Sequence, residues 1–230
     1  MTSLFNSAFS FRQLATLGTS VLLVACFDVE QVQVYPSLLI DNFDDGDLSP
    51  SAKNFVDWRC YAFMPEEPQP TCDIQMNRAD NSPALAFTYD LDVPLDADES
   101  KYGVGFSTKP FVGTVDLSSY VSIHFSAKLS PGTPAPRKNR RFLVRLGCMT
   151  VQFVPGSMPD FMLEQGFAPG GDWSPYQLEL AKFRQPTGQV TMNSTQECLA
   201  LNDSMRFEIA DVLDGDNEQG TLMFDDVYFQ

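Results

Sequence analysis

"PALAFTYDL", Pro83–Leu91, decides the fold class. Leu85, Phe87 and Tyr89 alternate with Ala86 and Thr88. A period of two sets the large apolar side chains on one side of an extended chain and the small or polar ones on the other. Outward from this stretch, similar short runs recur along the chain. They are "SLLIDNF" (37–43), "FVDWRCYAF" (55–63), "CDIQMN" (72–77), "YGVGFST" (102–108), "VSIHFSAKL" (121–129), "RFLVRLGC" (141–148), "MTVQFV" (149–154), "YQLELAKF" (176–183), "SMRFEIADV" (204–212) and "TLMFDDVYF" (221–229). Gly, Pro, Asp and Asn punctuate the gaps between them. No run of helical period exceeds two turns, and "NSTQECLAL" (193–201) is the best short-helix candidate. Many short strands with one apolar face predict an all-β antiparallel β-sandwich, a jelly roll or barrel in one domain over 36–230.

The chain has 230 residues and a net charge of -15. A nucleic-acid partner would require a basic face, and nothing in this composition supplies one. The basic cluster "RKNRR" (137–141) follows "SPGTPAP" and reads as a solvated loop edge. At the N-terminus, Leu14–Ala25 is an apolar run preceded by a single charge, Arg12. It is too short to span a bilayer as a helix and has the length of a signal-peptide core. It ends in "LVAC", Leu23–Cys26, which resembles the lipoprotein box of bacteria. That resemblance implies cleavage before Cys26 and acylation of its side chain and new amine. Residues 1–25 would then be a signal peptide after which the jelly-roll domain is exported, and 26–35 a lipidated tether. The other reading is a plain secretory signal with an incidental cysteine. Several acyl chains on one cysteine give stable anchoring, where one gives only marginal binding. An acidic body has no attraction for anionic lipid, so membrane contact is expected through the N-terminal lipid only. Phe27 stands where an aspartate would resemble an inner-membrane retention signal, so the outer membrane of a bacterial cell envelope is the expected location.

Four further cysteines, Cys60, Cys72, Cys148 and Cys198, would sit in an oxidising compartment. Three pairings are open. Cys60–Cys72 with Cys148–Cys198 is preferred, the first closing a Pro-rich loop at a gain of about 3 kcal/mol in the chain-entropy model. Zinc is disfavoured, since no CxxC spacing occurs and the single histidine, His124, is distant from every cysteine in sequence.

Four stretches, in order, resemble bacterial carbohydrate-binding-module-like jelly rolls of the galactose-binding-like superfamily. They are "LLIDNFDDGD" (38–47), "DLSSYVSIHFSAK" (116–128), "GGDWSPYQLELAKF" (170–183) and "GTLMFDDVYF" (220–229). Two departures accompany the likeness. Ser126 stands where the family pattern has Trp, and Asp44 where it has Glu. The resemblance implies that the first and last strands lie side by side with a structural calcium at their edge. Its ligands would be Asp44 with Asp225 or Asp226, and Asp41, Asp45 and Asp47 as further candidates. By strict alternation Asp226 shares a face with Leu222, Phe224 and Tyr228, and Asp225 with Met223 and Val227. A local EF-hand is excluded, because counting from Asp41 puts Phe43 and Ala52 at the third and twelfth ligand positions. The other reading of "DDGD" is a type I turn.

Nucleophilic catalysis would have to use His124, which lies mid-strand, so no enzyme is expected. Sugar rings stack on exposed aromatics, and among Trp58, Tyr61, Tyr102, Phe167, Trp173 and Tyr176 the best ligand-binding candidates are Trp173 and Tyr176, while Trp58 is assigned to the core. The expected function is therefore a lipid-anchored envelope module that binds carbohydrate. The alternative is a structural or protein-interaction lipoprotein of the same fold without a sugar site.

Overall fold

The computed structural model describes residues 37–62, 70–76, 82–91, 104–133, 141–148, 162–185, 195–210 and 218–230. The signal peptide, Cys26 and the tether lie outside them, as do the strand expected at 149–154 and most of the basic cluster. Among the described residues no helix is long and apolar enough to cross a membrane. Residues Tyr35–Gln230 group into one compact unit.

Eleven strands make up the described fold: β1 Leu38–Asp41, β2 Arg59–Ala62, β3 Thr71–Met76, β4 Pro83–Leu91, β5 Val104–Thr108, β6 Ser122–Leu129, β7 Arg141–Cys148, β8 Met162–Phe167, β9 Ser174–Glu179, β10 Asn202–Ala210 and β11 Glu218–Phe229. A 3-10 turn at Leu180–Lys182 and one short helix, α1 Thr195–Ala200, complete it. The strands form two antiparallel sheets, packed as a jelly-roll sandwich. The first has the order β3-β4-β11-β6-β9, with β1 also on β11, and the second has the order β2-β5-β10-β7-β8. β11 is long enough to serve two partners along one edge. Its Glu218–Phe224 stretch pairs with β4, and its end, Val227–Phe229, pairs with β1. The first and last strands therefore lie side by side.

The inner faces interdigitate around an aromatic centre. Leu85, Phe87, Tyr89, Ile123, Phe125, Leu222 and Phe224 enter it from the first sheet, and Phe106, Val144, Leu146, Phe207 and Ile209 from the second. Phe106 stacks on Phe207 with ring centroids 5.0 Å apart and meets Phe224 edge-on at 4.7 Å, so one ring joins the two layers. Trp58 is 2% exposed, as the core assignment expects.

The disulfides are Cys60–Cys72 and Cys148–Cys198, with Cα separations of 5.7 and 5.1 Å. The first joins β2 of the second sheet to β3 of the first, and the second joins β7 to α1. Two features depart from the sequence reading. β8, "MLEQGF", was not expected as a strand, because Glu164-Gln165-Gly166 breaks the apolar alternation. Strict alternation also fails at the end of β11, where the register with β6 shifts between Asp225 and Tyr228 and Asp226 takes φ 54°. This bulge reverses the faces: Leu222, Phe224, Val227 and Phe229 all point into the core, and Tyr228 lies on the outer face.

Candidate functional site

The acidic stretch after β1 divides into an inner and an outer part. Asp41 is fully buried. Its Oδ1 accepts the Phe43 backbone N–H at 2.9 Å and its Oδ2 accepts the Trp58 indole N–H at 2.8 Å. Phe43 takes φ 54° and turns its ring into the core, held there by the first of these bonds. Asp44, Asp45, Gly46 and Asp47 are then exposed. Asp44 accepts from the Asn42 side chain at 2.6 Å, Asp45 from the Asp47 N–H at 3.3 Å, and Asp47 from the Ser49 N–H at 2.7 Å. The last two are the self-bonds by which aspartate shapes turns. Gly46, at φ 76°, donates its N–H to the Phe43 carbonyl at 3.0 Å and closes the bend.

On β11, Asp225 is buried and its Oδ1 accepts the Asp226 N–H at 2.8 Å, while Asp226 is half-buried at the bulge. Among the described residues no three Asp, Glu, His or Cys side chains gather closely enough to hold a metal ion. Calcium takes six to eight oxygens, so these carboxylates by themselves do not fit a calcium cage.

Asp41 has a consequence for stability. Burial pushes its carboxyl up to about 6, against the two hydrogen bonds that favour the charged form. A carboxyl with a raised folded-state value stabilises the fold while protonated, and that contribution fades as pH rises through the folded value. Asp41 should therefore weaken the fold by roughly 2–3 kcal/mol on going from pH 4 to above pH 6. Carbon-13 NMR of the Asp41 carboxyl checks this, with a midpoint near 6 expected and an ordinary midpoint near 4 contradicting it.

The two ligand-binding candidates from the sequence lie on the first sheet. Trp173 is half-buried on its outer face, packed against Ala84, Ala86 and Met223, with the Lys128 ammonium 5.1 Å from its ring centroid. Tyr176 packs against the core instead. It stacks on Phe125 at 5.2 Å and donates its hydroxyl to the Ala168 carbonyl at 2.8 Å. His124 stacks on Tyr228 at 4.7 Å, its Nε2 lies 2.8 Å from the Ser122 hydroxyl, and burial lowers its pKa. Ser126, at the position of the family's Trp, belongs to this same outer face, since its neighbours Phe125 and Ala127 point inward.

The second sheet carries a different outer face. Its registers align Arg59, Ser107, Arg206, Arg145 and Glu164 in one cross-strand row, and Tyr61, Gly105, Glu208, Leu143 and Gly166 in the next. Arg145 links three strands: its Nε donates to Glu164 at 3.0 Å and its Nη1 pairs with Glu208. Tyr61 donates its hydroxyl to the other oxygen of Glu208 at 3.3 Å. Burial raises the Glu208 pKa against the pull of the Arg145 charge. Burial, with the neighbouring Glu208 charge, also holds the Tyr61 hydroxyl well above its ordinary value. The Tyr61 ring reaches across β5 because residue 105 is glycine. A Cβ there would stand 2.8 Å from the Tyr61 hydroxyl and 2.5 Å from the Phe207 carbonyl.

Beside this network a cavity of about 630 Å³ opens over β2, β5 and the start of β10. Ser107, Thr108 and Ser204 supply small groups there, and Arg59, Tyr61, Lys109, Arg206 and Asp57 stand around them. Ser49 donates its hydroxyl to Asp57 at 2.9 Å. Hydroxyls, cationic donors and one anchored aromatic ring are the groups that hold a polyhydroxylated ligand. The sequence signal for this site was present but dispersed: Arg59 and Tyr61 share one face of their strand, and Ser204, Arg206 and Glu208 one face of theirs. Nothing in the sequence showed that those faces adjoin.

No family model matches the chain, and no curated protein sequence is similar to it. Solved structures do match. The family 11 carbohydrate-binding module of the cellulosomal cellulase Lic26A-Cel5E of Clostridium thermocellum superposes at TM-score 0.55 with 15% identity, over 86% of this chain and 95% of that one. The family 11 module from Clostridium thermocellum in complex with a β-1,3-1,4-mixed-linked tetrasaccharide superposes at TM-score 0.55 with 14% identity, over 86% of this chain and 96% of that one. An exo-β-agarase matches at TM-score 0.50 and 10% identity, over 84% of this chain but 24% of the enzyme. The chain thus has the jelly-roll fold of carbohydrate-binding modules.

Proposed function

We propose that this protein is a non-catalytic, lipid-anchored glycan-binding module of the cell envelope, whose ligand lies in the cavity across β2, β5 and β10. The observation that carries the proposal is that cavity, with its small-residue floor and the Tyr61 ring held over Gly105. A similar fold solved with a tetrasaccharide supports it. The loss of the family's Trp at Ser126 does not count against it, because Ser126 belongs to the first sheet and the cavity to the second. Binding is favoured over hydrolysis because, among the described residues, the cavity is lined by one carboxylate, Asp57, where glycoside hydrolysis calls for a pair.

Isothermal titration against a panel of polysaccharides tests this reading. At least one member should bind, and Tyr61→Ala, with its fold verified by circular dichroism, should weaken binding by roughly tenfold, the worth of a well-placed aromatic contact. Binding to no member overturns it. Lipidation of Cys26 and residence in the outer membrane are part of the proposal, and the mass of the mature N-terminal peptide tests the acylation. A structural calcium is proposed only in a form that completes Asp225 or Asp226 with backbone carbonyls. Chelation should then lower the Tm, and an unchanged Tm would remove the metal from the account.

A further inference from the structure

The cavity over β2, β5 and β10 is cationic in a strongly acidic chain. Three of the fifteen Lys and Arg residues, Arg59, Lys109 and Arg206, line it, against one acid, Asp57. Arg59 and Arg206 flank Ser107 in a single cross-strand row. Adjacent strands lie about 4.8 Å apart, so the two arginine stems rise roughly 10 Å from each other with a serine between them. Arg59 and Lys109 are exposed and enter no ion pair among the described residues, whereas Arg145, one strand further on, is already committed to Glu164 and Glu208. Gathering like charges costs repulsion; the Glu208 charge offsets part of it at Arg206, while Arg59 and Lys109 stay open to solvent. The net negative charge of the chain works against the approach of an acidic polymer. Local cations let such a polymer approach in one place and orient it there.

We infer that the ligand of this cavity is an acidic glycan, carrying uronate carboxylates or sulfate esters, rather than a neutral one. The inference rests on the glycan-binding reading and specifies its ligand class. The planar forks of Arg59 and Arg206 match the oxygens of a carboxylate or sulfate set between them. Lys109 supplies a third positive charge beside them, and the Ser107 and Ser204 hydroxyls meet the neutral hydroxyls of the same sugar.

The test compares three probes with the intact mature protein by titration calorimetry: an oligogalacturonate, a sulfated galactan oligosaccharide and a neutral mixed-linked β-glucan oligosaccharide. At least one acidic probe should bind most tightly, and its affinity should fall at least tenfold between low and high salt, as screening requires. Arg59→Gln should lower that affinity about tenfold, the worth of a charge-assisted hydrogen bond, without changing the Tm. Lys128→Gln, on the outer face of the other sheet, should leave it unchanged. Tighter binding of the neutral probe with little salt dependence would overturn this inference and leave the glycan-binding function standing. Binding of none of the three, or of any other glycan, would overturn both. Salt-sensitive binding that survives Arg59→Gln and Arg206→Gln would place the acidic ligand elsewhere and overturn the assignment of the site.

Discussion

Replacing Cys148 and Cys198 together by alanine should lower the unfolding free energy by about 4 kcal/mol and the Tm by roughly 8–16 °C. The bridge spans 50 positions in sequence and ties the end of β7 to α1. Its chain-entropy contribution therefore exceeds that of Cys60–Cys72, which spans 12 positions and is worth about 3 kcal/mol. Both members of the longer bridge are buried, so alanine leaves a small void while serine would bury a hydroxyl. The order of the two effects is the sharper test. A loss from the 60–72 pair equal to or larger than that from the 148–198 pair would show that the first bridge, which joins the two sheets, acts through native packing and not through the unfolded chain. Chemical unfolding of the two double variants decides it.

The second large effect is expected at Trp58. The indole lies among Phe43, Phe106 and Phe207, with centroids 6.0, 5.4 and 6.2 Å away. Trp58→Ala should cost about 3–5 kcal/mol through the cavity it opens. It also removes the donor to Asp41, so its cost should lie at the upper end of that range. Trp58→Phe separates the two contributions. It keeps a ring in the aromatic cluster and deletes only the indole N–H, at an expected cost of about 1–3 kcal/mol for a buried acceptor left without its partner. Loss of that bond disfavours the ionised carboxylate, so the Asp41 midpoint should rise above its value of about 6 in the native protein. The gap between Trp58→Phe and the native protein should then widen as pH rises from 5 to 8. A gap independent of pH would mean that Asp41 and Trp58 are coupled by packing alone.

Asp41 also illustrates what the sequence could and could not disclose. Side-chain alternation was legible wherever one face is buried. Leu85, Phe87 and Tyr89 enter the core as their spacing predicts, and Ile123, Phe125 and Ala127 do the same on β6. Alternation carries no record of a bulge, so the reversal of faces at Asp225–Tyr228 could not be read from "MFDDVYF". Nor does it distinguish aspartates that look alike in sequence. Asp41 turns inward because Trp58, 17 residues later, offers it an indole N–H, while Asp44, Asp45 and Asp47 stay in solvent. The adjacency of the first and last strands was legible through the family resemblance and is present in the β1–β11 pairing. The cavity was not legible. Its residues come from β2, β5, β10 and the positions just before β2 and just after β5, and each strand contributes a polar face that looks ordinary alone. What brings them together is register, which puts Ser107 between Arg59 and Arg206 and a glycine beneath Tyr61.

The ligand should meet the outer face of the second sheet and not that of the first. Nuclear magnetic resonance of backbone amides and arginine side chains reads this out, with the tightest-binding glycan of the panel titrated into the labelled protein. The largest shifts should fall on Arg59, Tyr61, Ser107, Lys109 and Arg206, with the Arg59 and Arg206 side-chain N–H signals moving in step. Shifts concentrated on Lys128, Trp173, His124 and Tyr228, across the first sheet, would contradict it.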